Sequence, residues 1–119
     1  MPLSGLQGPY NLNIQTIDEV VILKSAGVYA LAKMVEGNSF HISYVGRSDD
    51  DINRRLKDWV DKYALFKFEY YVSPRTAFEK ECNIYHYFGP EGLDNEAHPE
   101  RPKNTNWLCP QCNLFKEKP

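Results

Sequence analysis

The feature that most constrains the fold is a pair of extended segments joined by a short turn. The segments are Gly27 to Met34 and Phe40 to Gly46, and the turn is centred on Gly37-Asn38. Glycine followed by asparagine is typical of a two-residue hairpin turn, so the segments are predicted to pair as antiparallel strands. The register set by this turn places Tyr29 and Tyr44 on one face of the sheet as diagonal neighbours.

Further elements are predicted from alternation and capping residues. Residues Phe66 to Val72 alternate in polarity, which predicts a third, half-buried strand. Thr16-Ile17-Asp18-Glu19 has the form of a capping box, and Ser48 and Ser73 are expected N-caps of two longer helices. The predicted fold class is α/β, more closely α+β, with a central three-stranded antiparallel sheet flanked by helices.

Length and composition limit the organisation of the chain. The 119 residues suffice for one domain, predicted to span residues 1–95, with a loop-rich extension at 96–119 packed on it. Hydrophobic residues make up 42% and charged residues 25%, which excludes a disordered chain or a coiled coil. No apolar run approaches the length of a membrane span, and the N-terminus does not have the pattern of a signal peptide, so we expect a cytoplasmic protein without membrane contact. The net charge of −2 means that any phosphate recognition has to be local.

One carboxylate stands where an apolar residue is expected. The helix after Ser73 has an apolar face that includes Ala77, Phe78 and Cys82, and Glu81 falls near the middle of that face. Burial of an ionised carboxylate costs several kcal/mol unless a cation or several hydrogen-bond donors compensate. The candidate partners are Arg55, at the inner margin of the preceding helix, and a divalent metal.

The C-terminal segment carries a second metal signal. Cys109-Pro110-Gln111-Cys112 supplies two of the four ligands of a zinc site, and His98, His86 or Cys82 could supply the others. We name Cys109, Cys112 and His98 as a candidate structural zinc site. Because no second Cys-x-x-Cys pair is present, inert thiols remain the alternative.

Five short motifs resemble, in order, those of the GIY-YIG nuclease superfamily. The resemblance covers Ala26 to Asn95 and rests on the following residues: Gly27-Val28-Tyr29, Tyr44-Val45-Gly46, Arg55-Leu56, Ala77 and Glu81. Each motif is weak alone, and the ordered set is strong. The resemblance implies a compact domain with a three-stranded antiparallel sheet that hydrolyses DNA phosphodiester bonds with one divalent metal, Mg²⁺ or Mn²⁺.

The resemblance also implies roles for individual residues. Glu81 would hold the metal, Arg55 would bind phosphate, and Tyr29 would activate water with the help of Tyr44. Arg47, Lys33 and Asn95 are the residues expected to bind substrate. A tyrosine of ordinary pKa, about 10, is a poor base, so Tyr29 needs a nearby cation to lower its pKa. Trp59 stands where some members of the superfamily have a histidine.

The sequence therefore predicts a metal-dependent endonuclease, serving DNA repair, recombination or mobile-element processing, with DNA and a targeting protein as partners. The alternative is a non-catalytic module that binds nucleic acid or protein and has a zinc-stabilised tail. In that alternative the tyrosines are ordinary strand residues, and Arg55 and Glu81 form a structural ion pair.

Overall fold

The computed structural model describes residues 6–33, 35–36, 39–40, 42–88, 93–95, 98–99, 105 and 107–112. In chain order the elements are β1 (Gln7–Asn11), α1 (Ile14–Val20), β2 (Gly27–Ala32), β3 (Val35–Glu36), β4 (Ser39–Phe40), β5 (Tyr44–Ser48), α2 (Ile52–Lys57), β6 (Leu65–Tyr70) and α3 (Pro74–Phe88). The protein belongs to the α+β class. Within the described residues, no helix has both the length and the apolar character needed to cross a membrane.

The main sheet has four antiparallel strands in the order β1-β6-β2-β5. Tyr29 of β2 lies opposite Gly46 of β5, which confirms the register predicted from the hairpin. Strand β2 ends at Ala32, before the predicted Met34, and the second predicted strand is divided between β4 and β5. Strands β3 and β4 form a separate two-stranded sheet that keeps the same register. The Gly37-Asn38 turn itself lies outside the described residues.

The prediction of three strands was wrong, because β1 adds a fourth at the edge beside β6. This strand has the sequence Gln-Gly-Pro-Tyr-Asn and is mostly exposed. It therefore carries no alternation of apolar and polar residues from which a strand could be predicted. Proline is tolerated in an edge strand, and the pairing of β1 is irregular between Gln7 and Tyr10.

The predicted starts of the first two helices were also wrong. Asn13, not Thr16, is the N-cap of α1, and its side chain accepts a hydrogen bond from the Thr16 backbone N–H at 2.8 Å. Asp51, not Ser48, is the N-cap of α2. Ser48 instead ends β5, where it pairs with Gly27 and its hydroxyl accepts a hydrogen bond from the Asp51 N–H at 2.9 Å.

The third helix begins where the sequence predicts. Pro74 is the first residue of α3, and the Ser73 hydroxyl accepts a hydrogen bond from the Thr76 N–H at 3.2 Å. Ala77 and Phe78 are fully buried, and Glu81 is only 6% exposed, which confirms its predicted position on the apolar face. This helix thus carries a carboxyl group into the protein interior.

Two hydrophobic clusters lie on opposite faces of the sheet. All six residues of β2 are buried, as expected for a central strand covered on both sides. Val28, Ala30 and Val45 pack with residues of α3 on one face. Tyr29 and Leu31 pack with residues of α1 and α2 on the other. Because β5 is at the edge of the sheet, side chains from both faces can meet beside it.

Candidate active site

A cleft of about 600 Å³ lies beside β5 and contains all four residues predicted to be catalytic. Tyr29 and Tyr44 reach it from the face covered by α2, and Arg55 comes from α2 itself. Glu81 reaches it from α3, on the other face. The remaining lining residues are Gly46, Arg47, Asp49, Trp59, Tyr63, Asp94, Asn95, His98 and Pro99.

Tyr29 lies over Gly46 in the neighbouring strand and is 1% exposed. Its hydroxyl accepts a hydrogen bond from the indole N–H of Trp59 at 2.8 Å. Burial raises the pKa of Tyr29 well above its ordinary value, and the opposing effect of the Arg55 guanidinium is smaller. The hydroxyl therefore stays protonated at neutral pH in the metal-free protein, so the fold does not by itself supply the lowered pKa that a base role requires.

Gly46 is needed because the Tyr29 ring occupies the space where a side chain would begin. A Cβ atom at Gly46 would lie 2.4 Å from the Tyr29 hydroxyl oxygen and 2.5 Å from Cζ. The ring is buried and is held by Trp59, so it cannot move away cheaply.

We expect Gly46→Ala to lower the free energy of unfolding by about 1–3 kcal/mol, the usual cost of overpacking a core. Urea denaturation of the purified variant measures this loss. In the Tyr29→Ala background, where the ring is absent, the same substitution should cost much less. An equal cost in both backgrounds would show that the ring is not the obstacle.

Tyr44 and Trp59 form an aromatic wall of the cleft. Their ring centroids lie 4.5 Å apart, and the Tyr63 ring lies 6.2 Å from that of Tyr44. Rings at these separations attract each other and restrict each other's movement. Trp59 thus orients both tyrosines, through its indole N–H toward Tyr29 and through its ring toward Tyr44.

Arg55 is the most accessible cation of the cleft. Its side chain is 49% exposed and lies 3.3 Å from the Asp58 carboxylate. An exposed ion pair of this kind contributes little to stability, so it is easily exchanged for another anion. The guanidinium also lies close enough to Tyr29 to lower the pKa of its hydroxyl. Arg55 is therefore placed to bind an anion that enters beside Tyr29.

Glu81 has an arginine partner, but the partner is Arg47 and not Arg55. The Arg47 Nη1 and Glu81 Oε1 atoms lie 2.7 Å apart, and the two side chains are only 11% and 8% exposed. Arg47 also donates from Nε to Asp49 at 2.8 Å and lies over the Phe78 ring. Burial raises the pKa of Glu81 to about 7, although Arg47 acts in the opposite direction.

The alternation of β5 explains this choice of partner. Gly46 faces Tyr29, so the next residue, Arg47, points to the opposite face, where α3 lies. Arg55 comes from the helix on the Tyr29 face. The two-residue period of β5 predicts that Arg47 and Tyr44 lie on opposite faces of the sheet. Nothing in the sequence, however, indicates which of the two faces α3 covers.

The other residues expected to bind substrate have structural contacts. Both groups of the Asn95 amide bond the backbone of Val45, to its N–H at 3.1 Å and its C=O at 2.8 Å. Asn95 thereby satisfies the backbone N–H and C=O groups of Val45 at the edge of β5, next to the cleft. Lys33 is exposed just after β2 and lies 3.6 Å from the Asp94 carboxylate. Lys33 is not among the residues that line the cleft.

Four histidine and cysteine side chains meet beside α3 and could hold a metal ion. Their ligand atoms all lie within 4.8 Å of one another, and the residues are His86, His98, Cys109 and Cys112. Nitrogen and sulfur donors suit zinc better than magnesium or manganese, which prefer oxygen. Cys82 is fully buried against Cys109 but does not belong to this group. The sequence indicates His86 only as one of several candidates for the fourth ligand, beside Cys82.

Comparison with protein-family models, with curated proteins and with solved structures found no match. The resemblance to the GIY-YIG superfamily consequently rests on the residues quoted above.

Proposed function

We propose that the protein is a metal-dependent endonuclease that hydrolyses DNA phosphodiester bonds in the cleft beside β5. One observation carries this proposal: Tyr29, Tyr44, Arg55 and Glu81, which are distant in the sequence, line the same cleft. Ordinary strand tyrosines and a structural ion pair have no reason to converge on one accessible cavity. A cleft with convergent polar groups and a carboxyl group of raised pKa is the usual form of an active site.

Glu81 is the residue that would hold the catalytic metal, Mg²⁺ or Mn²⁺. Among the described residues, its only hydrogen-bond partner is Arg47, at Oε1, and the side chain lines the cleft. Magnesium sites often use one or two carboxylates together with substrate phosphate and water, so a single carboxylate fits this ion. When bound, the ion would neutralise charge on the phosphate and lower the pKa of a coordinated water.

Arg55 and the tyrosines would orient the substrate. The Arg55 guanidinium can form two parallel hydrogen bonds to a phosphate, and its exposed position allows it to release Asp58. The protonated Tyr29 hydroxyl would donate a hydrogen bond to a phosphate oxygen or to the attacking water. Tyr44, held by Trp59, would form the wall against which the scissile phosphate lies.

Arg47 would act on Glu81 more than on the DNA. It neutralises the carboxylate in the absence of metal, and its second bond to Asp49 gives it another partner when a cation arrives. This role differs from the direct substrate contact expected from the resemblance. Asn95 would likewise shape the cleft by holding its segment on β5, and Lys33 would attract the DNA backbone from outside the cleft.

The net charge of the chain limits the kinds of DNA that the protein can bind. Because the chain has a net charge of −2, binding to duplex DNA should be weak and should fall steeply with added salt. We therefore propose that the enzyme acts on nicked, branched or flexible DNA, or is brought to its site by a protein partner.

A plasmid assay tests the proposal. The purified protein is incubated with supercoiled plasmid in Mg²⁺ or Mn²⁺, and nicked and linear products are separated on a gel. We expect nicking that a chelator prevents and that added divalent ion restores. If supercoiled, branched and single-stranded DNA all stay intact, the endonuclease proposal is wrong. Binding without cleavage in a gel-shift assay would instead support the non-catalytic module.

A further inference from the structure

We propose that His86, His98, Cys109 and Cys112 form a structural zinc site that fastens the C-terminal segment to α3 and fixes one wall of the cleft. This inference does not depend on the endonuclease proposal, because the four ligands do not include Glu81, Tyr29 or Arg55. The ligand set combines one residue of a helix with three residues of segments that have no regular secondary structure.

The distances among the ligand atoms fit a tetrahedral zinc ion. Zn–N bonds of about 2.0–2.1 Å and Zn–S bonds of about 2.3 Å place neighbouring tetrahedral ligands about 3.3–3.8 Å apart. The two histidine Nε2 atoms are separated by 3.2 Å, and the Cys112 Sγ atom lies 3.4 Å from the Nε2 atom of His98. The widest separation in the group, at most 4.8 Å, needs to close by only about 1 Å.

The protonation of His98 is suited to metal binding. Its Nδ1 atom lies 2.8 Å from the Pro99 backbone carbonyl, which can only accept a hydrogen bond. The proton of a neutral His98 is therefore on Nδ1, and the lone pair is on Nε2, which faces His86 and Cys112. Metal-binding histidines usually donate their other N–H to a carbonyl or carboxylate in this way.

The charge of the site and the number of ligands indicate a structural ion. Two cysteine thiolates balance the two positive charges of zinc, and two neutral histidines complete the set, so the occupied site carries no net charge. Because four protein ligands fill a tetrahedral ion, no position remains for water or substrate, which distinguishes structural from catalytic zinc. Phosphodiester hydrolysis is therefore left to the separate site at Glu81.

The described residues of the C-terminal segment also pack on α3, and the ion would add to this attachment. Cys109 packs against Phe78 and Cys82 of α3, with Trp107 beside them. The Gln111 side-chain amide donates to Asn83 of α3 at 2.7 Å. Short segments with little hydrophobic core are commonly held by a metal, whose binding energy then becomes folding energy.

The site connects the segment to the cleft through one residue. His98 is both a member of the ligand group and a lining residue of the cleft, and its neighbour Pro99 also lines the cleft. An ion that fixes the His98 side chain consequently fixes the part of the cleft wall that His98 and Pro99 form. Loss of zinc should loosen this wall without changing the central sheet.

Metal analysis of the full chain, purified without a histidine tag, tests the proposal. We expect about one zinc per chain, and a loss of about tenfold or more in zinc content in Cys112→Ser and His86→Ala. Cys82→Ala is the matched control, since it removes a neighbouring thiol that is outside the ligand group, and it should keep its zinc. A wild-type protein without zinc that also fails to take up added zinc would overturn the proposal, as would zinc lost in Cys82→Ala but kept in Cys112→Ser.

Two measurements on the unmutated protein cover the case in which the variants do not fold. Cobalt added to the metal-free protein should give the visible absorption bands of a tetrahedral ion with thiolate ligands. Removal of zinc should increase amide hydrogen exchange at His98 and at the non-proline residues of 107–112 while leaving β2 protected. An octahedral cobalt spectrum without thiolate bands, or exchange that is unchanged in these segments, would contradict the proposal.

Discussion

Glu81→Gln is expected to reduce plasmid nicking by at least about 100-fold, because the amide cannot replace the carboxylate as a ligand of the catalytic ion. Substitution of residues that only support metal ligands already costs about 10–100-fold, and loss of the ligand itself should cost more. The fold should survive, since the neutral amide removes a buried charge and Arg47 keeps its second partner, Asp49. Initial nicking rates of folded protein in Mn²⁺ measure the effect.

Glu79→Gln is the matched control for this substitution. Glu79 lies on the same helix, but it is partly exposed. Its carboxylate lies 3.4 Å from the guanidinium of Arg75, one turn earlier on α3. We expect nicking at the wild-type rate. Arg55→Ala and Arg54→Ala form a second pair, in which only the loss of the cleft residue should reduce activity. Nicking by Glu81→Gln at the rate of Glu79→Gln would remove the basis of the proposed mechanism.

Arg47→Ala is expected to destabilise the protein in a way that depends on pH. The pKa of Glu81 in the folded protein is about 7, above its ordinary value of 4.5, so the folded state holds this proton more tightly than the unfolded state. In the wild type the stability contributed by Glu81 is present below about pH 4.5, falls as the pH rises, and levels off above about pH 7. Removal of Arg47 should raise the pKa of Glu81 further, because Arg47 is the one cation among the described residues that is hydrogen-bonded to the carboxylate.

The stability of Arg47→Ala should therefore continue to fall above pH 7 while that of the wild type is level. The difference should grow by about 1.4 kcal/mol for each pH unit above about 7 until Glu81 ionises in the variant. Below about pH 7 the difference should shrink to the packing lost over Phe78 and the hydrogen bond lost to Asp49. Urea denaturation from about pH 6 to 9 measures the difference, and the exposed Arg54→Ala serves as the control. A difference that stays constant across this range would show that Arg47 does not neutralise Glu81.

The parts of the site that the sequence predicted depend on local rules. A hairpin centred on Gly37-Asn38 was sufficient to predict the register that places Tyr29 opposite Gly46, because the loop length of a hairpin fixes its pairing. The helical period placed Glu81 among buried residues, because Ser73 and Pro74 fixed the start of α3. In both cases a short stretch of chain contained the information.

The parts that were missed depend on tertiary contacts. Strand β1 has no alternation because it is an exposed edge strand, and its place is set by pairing with the distant β6. Arg47 becomes the partner of Glu81 only because α3 packs on the face of β5 opposite Tyr29. His86 joins the cysteine pair because the C-terminal segment returns to α3. Single-sequence periodicity describes faces within one element and does not show which elements meet.

The most direct test of the central claim is a crystal structure with Mn²⁺ and an oligonucleotide whose scissile phosphate resists hydrolysis, read by the anomalous scattering of manganese. We expect a manganese peak within ligand distance of the Glu81 carboxylate, with the phosphate between that ion and Arg55. Manganese found only outside the cleft beside β5, with Glu81 still bonded to Arg47 alone, would contradict it.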